Sequence, residues 1–365
     1  MVAFQNIVIA GGGIIGNSIS YYLAKRGIRA TLIDPVGISP AASGKAGGFL
    51  AKTWSDYSPY LGPLQRRSFD LHAEIAEEFG HEKVDYRRLT AAAVSITSGG
   101  ATPKSKKLKG VEWADLNAIG YQNLGNEDEI AQVHPKKLCH AMWEYSSTKV
   151  NSELCIGRVV EVIMDDGKVN GVKLENGDVI EADAFIIACG PWTNEARNWF
   201  GKSNDNKIPV ISGVKYHSML VKSPNVLNQA VFFQGGGDPE FYPRPDSDVY
   251  ITGFPDEAKV VTERPGDEEI RDDVIERLIH STASVSSELG GIMPHTCQAC
   301  YLPTANDGLP VIGQVFGIDG AFVATGHSCW GILNGPATGE AMAELLVDGK
   351  TTHVDIRPLT PNRFM

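Results

Sequence analysis

The first apolar stretch of the chain is also the most informative. After Asn6, the residues Ile7-Val8-Ile9-Ala10 form a continuous apolar run, the pattern of a strand buried on both faces. A glycine cluster follows, and then NSISYYLAKRGI, which places Ile19, Tyr22 and Leu23 at helical spacing until Gly27 ends the helix. Ala30-Thr31-Leu32-Ile33-Asp34 reads as a second strand. Further on, Val133-His134-Pro135 opens an amphipathic helix through Leu138, Met142 and Tyr145. The segment GRVVEVIMDDGKVNGVKLENGDVIEADAFIIACGPW then reads as strands joined by turns at DDG and ENGD, ending in the buried strand AFIIA. From about 207 to 300 the character changes to period-2 stretches (KIPVISGVKYHSMLV, AVFFQ, FYPRP, DVYITGF), the pattern of an antiparallel sheet. A helix is expected from Asp267 to Leu289, with Asp267, Glu268 and Glu269 as the acids of its first turn. Ala321-Phe322-Val323-Ala324 is a last buried strand, and a glycine-rich turn and helix occupy Gly326 to Gly349, with Ala341, Leu345 and Leu346 on the packing side.

The glycine cluster turns this pattern into chemistry. Gly11-Gly12-Gly13-Ile14-Ile15-Gly16 is G-x-G-x-x-G between a strand and a helix, and Asp34 closes the next strand 23 positions after Gly11. Gly11 permits the tight turn, Gly13 lets the backbone approach a pyrophosphate, and Gly16 lets helix and strand pack closely. The helix start offers N–H groups and a positive dipole end to phosphates, and a carboxylate at about 20 residues takes the ribose hydroxyls. The motif predicts dinucleotide binding without choosing between NAD and FAD. A second strand, glycine turn and helix at Gly326–Gly349 suits a flavin, whose reduced ring gains from donors at a helix N-terminus.

Composition narrows the class. A chain of 365 residues with 42% hydrophobic content has ample core for two units. A formal net charge of −11 argues against a nucleic-acid partner. Six scattered cysteines do not form a secreted disulfide framework. The opening MVAFQNIVIAGGG lacks the pattern of a signal peptide, and no apolar run approaches the roughly 20 residues of a membrane span, so a cytoplasmic protein is expected. The lysines of GGATPKSKKLKG (99–110) read as a solvated hairpin tip.

The pieces IVIAGGGIIGNSISYYLAKRG, ASGKAGG, VHPKKL, ACGPW, DGLPVIG and GHSCWGILNGPATGEAMAELL, in this order, resemble the D-amino-acid oxidase-like family of FAD-dependent oxidoreductases, which includes glycine oxidase and monomeric sarcosine oxidase. Small uncharacterised fungal and plant members look most similar. The resemblance implies an α/β fold: a Rossmann-like FAD-binding domain of the glutathione-reductase type, interleaved with an antiparallel-sheet α+β substrate domain. The expected FAD-binding domain takes residues 1–85, 135–206 and 301–365, and the substrate domain takes 86–134 and 207–300. The implied cofactor is FAD. Gly11, Gly13, Ile14, Ile15, Gly16 and Asp34 would hold its pyrophosphate and ribose. Ser43 and Gly44 would lie near the phosphates, Gly47 and Gly48 near the flavin, and Val159 against adenine. Gly190 and Trp192 of ACGPW would complete the wall, and Gly326, His327, Gly331, Ile332 and Thr338 would surround the pyrimidine edge. Pro336 and Ala337 read only as the first helical turn.

The implied reaction is oxidation of a C–N bond in a small amine or amino acid, with oxygen or another acceptor restoring the flavin. His327 is a candidate base, although hydride loss beside an amine needs none in several relatives of this kind. An amino-acid carboxylate calls for a bidentate arginine. Glycine-oxidase-like members carry one before the proline of the segment matching Leu302-Pro303, and here Leu302 stands in that place. Arg244 of FYPRP is the best substitute, with Lys52, Arg66 and Arg67 as further candidates. The missing arginine also supports an alternative, a flavin-binding regulatory or interaction protein with little turnover. Cys297 and Cys300 form a CxxC pair. A zinc clip would need a second ligand pair where only His295 is near, and a redox dithiol should start a helix, whereas Cys300 is expected to lead into Pro303 and a turn. Two buried thiols remain open, as does a flavin tether, because Cys300 aligns with the cysteine that holds the flavin in sarcosine oxidase-like proteins.

Overall fold

The computed structural model describes residues 4–97, 108, 110–201 and 207–365; the lysine-rich stretch expected as a hairpin tip lies outside these, save Leu108 and Gly110. A six-stranded sheet is built from Val311–Gln314, Ala321–Thr325, Ala184–Ile187, Ile7–Ala10, Thr31–Asp34 and Glu153–Ile156, in that spatial order. All its pairings are parallel except the edge pair of Val311–Gln314 with Ala321–Thr325. The apolar run at the N-terminus explains the layering. Ile7 and Ile9 point into one core with the helices Ile14–Lys25, Leu61–Phe79, Pro135–Val150 and Gly331–Asp348. Val8 and Ala10 point into a second core beneath the three-stranded meander Val159–Asp165, Lys168–Leu174 and Val179–Glu181. Burial on both faces therefore demands apolar residues at every position of the strand.

The second sheet has eight strands and belongs mainly to the later half of the chain. Ile211–Lys222 is its centre, paired antiparallel with Asp248–Gly253 and Thr296–Ala305. Glu240–Pro243, Gln229–Gln234, Thr90–Ile96 and Ala118–Gly125 extend it to one side, and Gln229–Gln234 meets Thr90–Ile96 in parallel. One face packs Met219, Val231, Phe233, Phe241, Val249 and Ile251 against the helix Asp272–Val285. The other face carries Tyr216, Phe232, Glu240, Tyr242, Tyr250 and Cys300 and turns toward the first sheet. A small sheet of Phe49–Ala51, Ile130–Gln132 and Arg87–Arg88 lies between them.

Two expectations change here. The helix starts at Asp272, not Asp267, and its first-turn acids are Asp272 and Asp273. Glu268 is drawn instead into a buried ion pair with Lys45, a tertiary contact that outweighs the dipole preference. Pro303 sits inside the strand Thr296–Ala305, opposite Gly213, and that strand runs across the expected domain border at residues 300 and 301. Among the described residues no helix is long and apolar enough to cross a membrane.

Candidate FAD and substrate site

The turn after Ile7–Ala10 cannot be built with side chains. Gly11 has φ +121°, and a Cβ there would stand 2.2 Å from the Ala188 carbonyl oxygen. A Cβ on Gly16 would stand 2.0 Å from the Gly11 carbonyl oxygen, so the helix reaches the strand end only because that position is bare. Gly13 differs: its φ of −75° suits any residue, and its Cβ would meet only the Ser43 hydroxyl, at 3.0 Å. What a side chain would occupy there is the approach to the helix start. Its N-cap residue is Gly13, which has no side chain to cap it, and Ser43 Oγ accepts the Ile14 N–H at 2.9 Å. Asp34 accepts N–H bonds from Gly12, Val36 and Gly37 at 2.8, 2.8 and 2.9 Å. Burial pushes its carboxyl up while those three donors pull it down. A glycine cradle, a helix start and a buried acid fit the diphosphate and ribose of a dinucleotide.

A cavity of about 440 Å³ runs from this turn to the open face of the second sheet. Gly11, Gly13, Ile14, Ile15, Asp34, Ser43, Gly47, Gly48, Val159, Gly190, Trp192, Cys300, His327, Gly331 and Ile332 all line it. Gly48 has φ +81°, and a Cβ there would press to 1.9 Å from the Val133 carbonyl oxygen, which fixes the wall beside the small sheet. At the far end the helix Gly331–Asp348 also begins without a side-chain cap. Gly16, Gly44, Gly326 and Thr338 are not among the cavity's lining residues. Thr338 Oγ1 bonds His327 Nε2 at 2.9 Å. Burial lowers His327 to about 3, which favours the neutral imidazole.

Arg244 is not part of the lining. Pro243 ends its strand, and the side chain runs beneath the loop at Ala46, whose carbonyl oxygen accepts from Nη2 at 3.3 Å, with His134 Nε2 3.4 Å from Nη1. It is 6% exposed and burial lowers its pKa, so it cannot reach a carboxylate in the cavity without rearrangement. Lys52, Arg66 and Arg67 are paired elsewhere, with Asp70, Asp56 and Glu340.

The CxxC pair is split by its strand. Three positions apart in an extended segment, Cys297 and Cys300 take opposite faces. Cys297 packs toward the helix Asp272–Val285, while Cys300 lines the cavity. The two thiols thus make neither a clip nor a dithiol, and among the described residues no group of three or more His, Cys, Asp or Glu could hold a metal. Burial, with the charge of Glu268, pushes the Cys300 thiol up to about 12. A tether to flavin would require the thiolate. Acid precipitation of the yellow protein is therefore expected to release its FAD and leave the Cys300 peptide at unmodified mass; a flavin-bearing peptide would reverse that assignment.

Sequence reasoning missed Glu240, the aromatic wall of Phe49, Trp54, Phe232, Tyr242 and Tyr250, and the Lys45–Glu268 pair that fastens the loop of Ser43–Gly48 to the second sheet.

This arrangement of two sheets around a dinucleotide cradle is that of a flavin-dependent oxidoreductase. The chain belongs to the FAD dependent oxidoreductase (DAO) family, whose sequence pattern matches residues 6–345. A Schizosaccharomyces pombe protein named as an oxidoreductase is 34% identical over 98% of both chains. The glycine oxidase of Pseudomonas aeruginosa is 26% identical, again over 98% of each. The crystal structure of glycine oxidase from Geobacillus kaustophilus superposes with a TM-score of 0.82 at 23% identity, covering 99% of this chain and 98% of that one.

Proposed function

We propose that this protein oxidises the C–N bond of a small amine or amino acid. The observation that carries the reading is the single cavity joining the glycine cradle to the open face of the antiparallel sheet. Bound there, a flavin would supply a hydride acceptor at N5, with oxygen or another acceptor as the final oxidant. Gly11, Gly13 and the start of Ile14–Lys25 would hold its diphosphate, Asp34 its ribose, and the start of Gly331–Asp348 its ring. The aromatic wall excludes water and presents the substrate carbon. His327, neutral and fixed by Thr338, shapes the floor without taking a proton. The imine so formed hydrolyses in water. Support comes from the similar glycine oxidases, which are named for an amino-acid substrate.

Anaerobic titration with primary, secondary and N-methyl amines and with amino acids tests this. At least one amine should bleach the flavin absorption. If none does, the chain is a flavin-binding protein without turnover, as the absence of arginine at Leu302 would allow.

A further inference from the structure

The substrate end of the cavity carries the wrong charge for an amino acid. Among the described residues that line the cavity, Arg158 is the one lysine or arginine. It stands beside Val159 at the dinucleotide end, held by Glu195 at 3.0 Å and Glu263 at 3.5 Å. Leu302 presents only carbon from the second sheet. The carboxylic acid at that end is Glu240, to which Tyr242 donates its hydroxyl. Burial raises the Glu240 carboxyl above its ordinary range, while the Tyr242 hydroxyl that donates to it pulls the other way.

Mutually packed rings box in this end of the cavity. Phe232 is 5.6 Å from Tyr242, 5.2 Å from Phe49 and 5.0 Å from Trp54 between ring centroids. Trp330 closes the set at 6.1 Å from Trp54. Phe49, Trp54, Phe232 and Trp330 are only half-buried, and all four line the cavity. Their order is fixed from outside: Trp54 Nε1 donates to the Leu124 carbonyl at 3.2 Å, and the strand pairing sets Phe232 opposite Glu240. Aromatic faces around a carboxylate are the chemistry that binds alkylated ammonium groups, because each ring face and the acid attract positive charge while the ring surface takes the alkyl carbons.

We infer that this box recognises a substituted ammonium ion and rejects substrates with a carboxylate beside the amine. The Glu240 carboxylate and the ring faces hold the cation, and the carboxylate of an α-amino acid meets an acid and a leucine where it would need an arginine. The inference rests on the oxidative reading only for the statement that the bound cation is a substrate; the recognition itself is independent of turnover.

The test uses holoprotein and two probes of similar shape that the flavin cannot oxidise, benzyltrimethylammonium and benzoate. Tryptophan emission, to which Trp54 and Trp330 contribute, and perturbation of the flavin spectrum report binding without turnover. The ammonium should bind and benzoate should not. Glu240→Gln should weaken the ammonium at least about tenfold, the scale of one lost charge-assisted contact. Trp54→Leu, which keeps the acid, should weaken it about three- to tenfold by removing one ring face. FAD content is measured alongside, so that a folding defect in one variant leaves the other decisive. Benzoate binding at least as tightly as the ammonium, or equal ammonium affinity in both variants and the parent, would overturn the proposal. Ammonium binding without bleaching by any amine supports the box and refutes oxidation; bleaching by amino acids without ammonium binding does the reverse.

Discussion

Exchange of Gly13 for leucine is expected to give a folded, colourless protein. The backbone at Gly13 is extended with φ −75°, so a side chain costs nothing in conformation, and the nearest obstacle is the Ser43 hydroxyl at 3.0 Å, which can turn away. The added carbons point into the cavity at the helix start, where a diphosphate must come within hydrogen-bond reach of backbone N–H groups. Loss of that approach should lower FAD affinity by at least roughly a hundredfold, about 2.7 kcal/mol. The flavin-to-protein absorbance ratio measures the loss, and far-ultraviolet circular dichroism with melting of the FAD-free protein shows that the fold persists. Gly11→Leu should behave differently, since its Cβ would press on the Ala188 backbone at 2.2 Å and its φ of +121° strains any side chain. That variant should fail to fold. A yellow Gly13→Leu protein would mean that the cradle does not hold the cofactor.

The contrast between those two glycines shows what the sequence could carry. Spacing alone reveals that both are needed, because strand, turn and helix are local and their periods are written in adjacent residues. The reasons differ and are not local: the Ala188 backbone, far along the chain, lies against Gly11, whereas a side chain on Gly13 would fill the approach to the helix start. The same limit governs the substrate face. Alternation in AVFFQ and FYPRP makes it plain that Phe232 shares one face while Val231 and Phe233 share the other. It does not say which face the helix Asp272–Val285 will cover, so Glu240 and its ring partners stayed invisible as a site. Arg244 has the period of Tyr242 and reads from the sequence as the best carboxylate anchor on the expected substrate sheet. The strand stops at Pro243, and the loop at Ala46, almost two hundred residues earlier, lies over the guanidinium. Glu268 looked like a helix acid for the same reason: charge near an expected helix start is a local signal, and its partner Lys45 is not local.

That pair should matter more than any surface ion pair in the molecule. The Glu268 side chain is fully buried and accepts from Lys45 Nζ and from the Gly266 N–H at 3.1 Å. Lys45 keeps 18% exposure and also donates to the Ala299 carbonyl at 3.1 Å, so the two residues staple the loop of Ser43–Gly48 to the strand that carries Cys300 and Leu302. Glu268→Ala leaves an ammonium with only carbonyl partners in a largely dry site. Removing one partner of a buried pair costs about 3–5 kcal/mol, and the remaining exposure of Lys45 puts this case near the lower end. For a chain of this size the melting temperature should fall on the order of 4–5 °C. FAD affinity should fall with it, because the loop that places Ser43 and Gly47 is no longer held. Glu268→Gln keeps an acceptor for Gly266 and should lose less than the alanine variant. The double exchange Lys45→Met with Glu268→Leu removes both charges and should recover most of the stability, since an apolar pair of similar volume needs no partner in a buried site. Calorimetry of the four proteins, with and without FAD, separates the cases. If Glu268→Ala melts with the parent while the double variant melts lower, the contact acts through side-chain packing and the charge pair stabilises nothing.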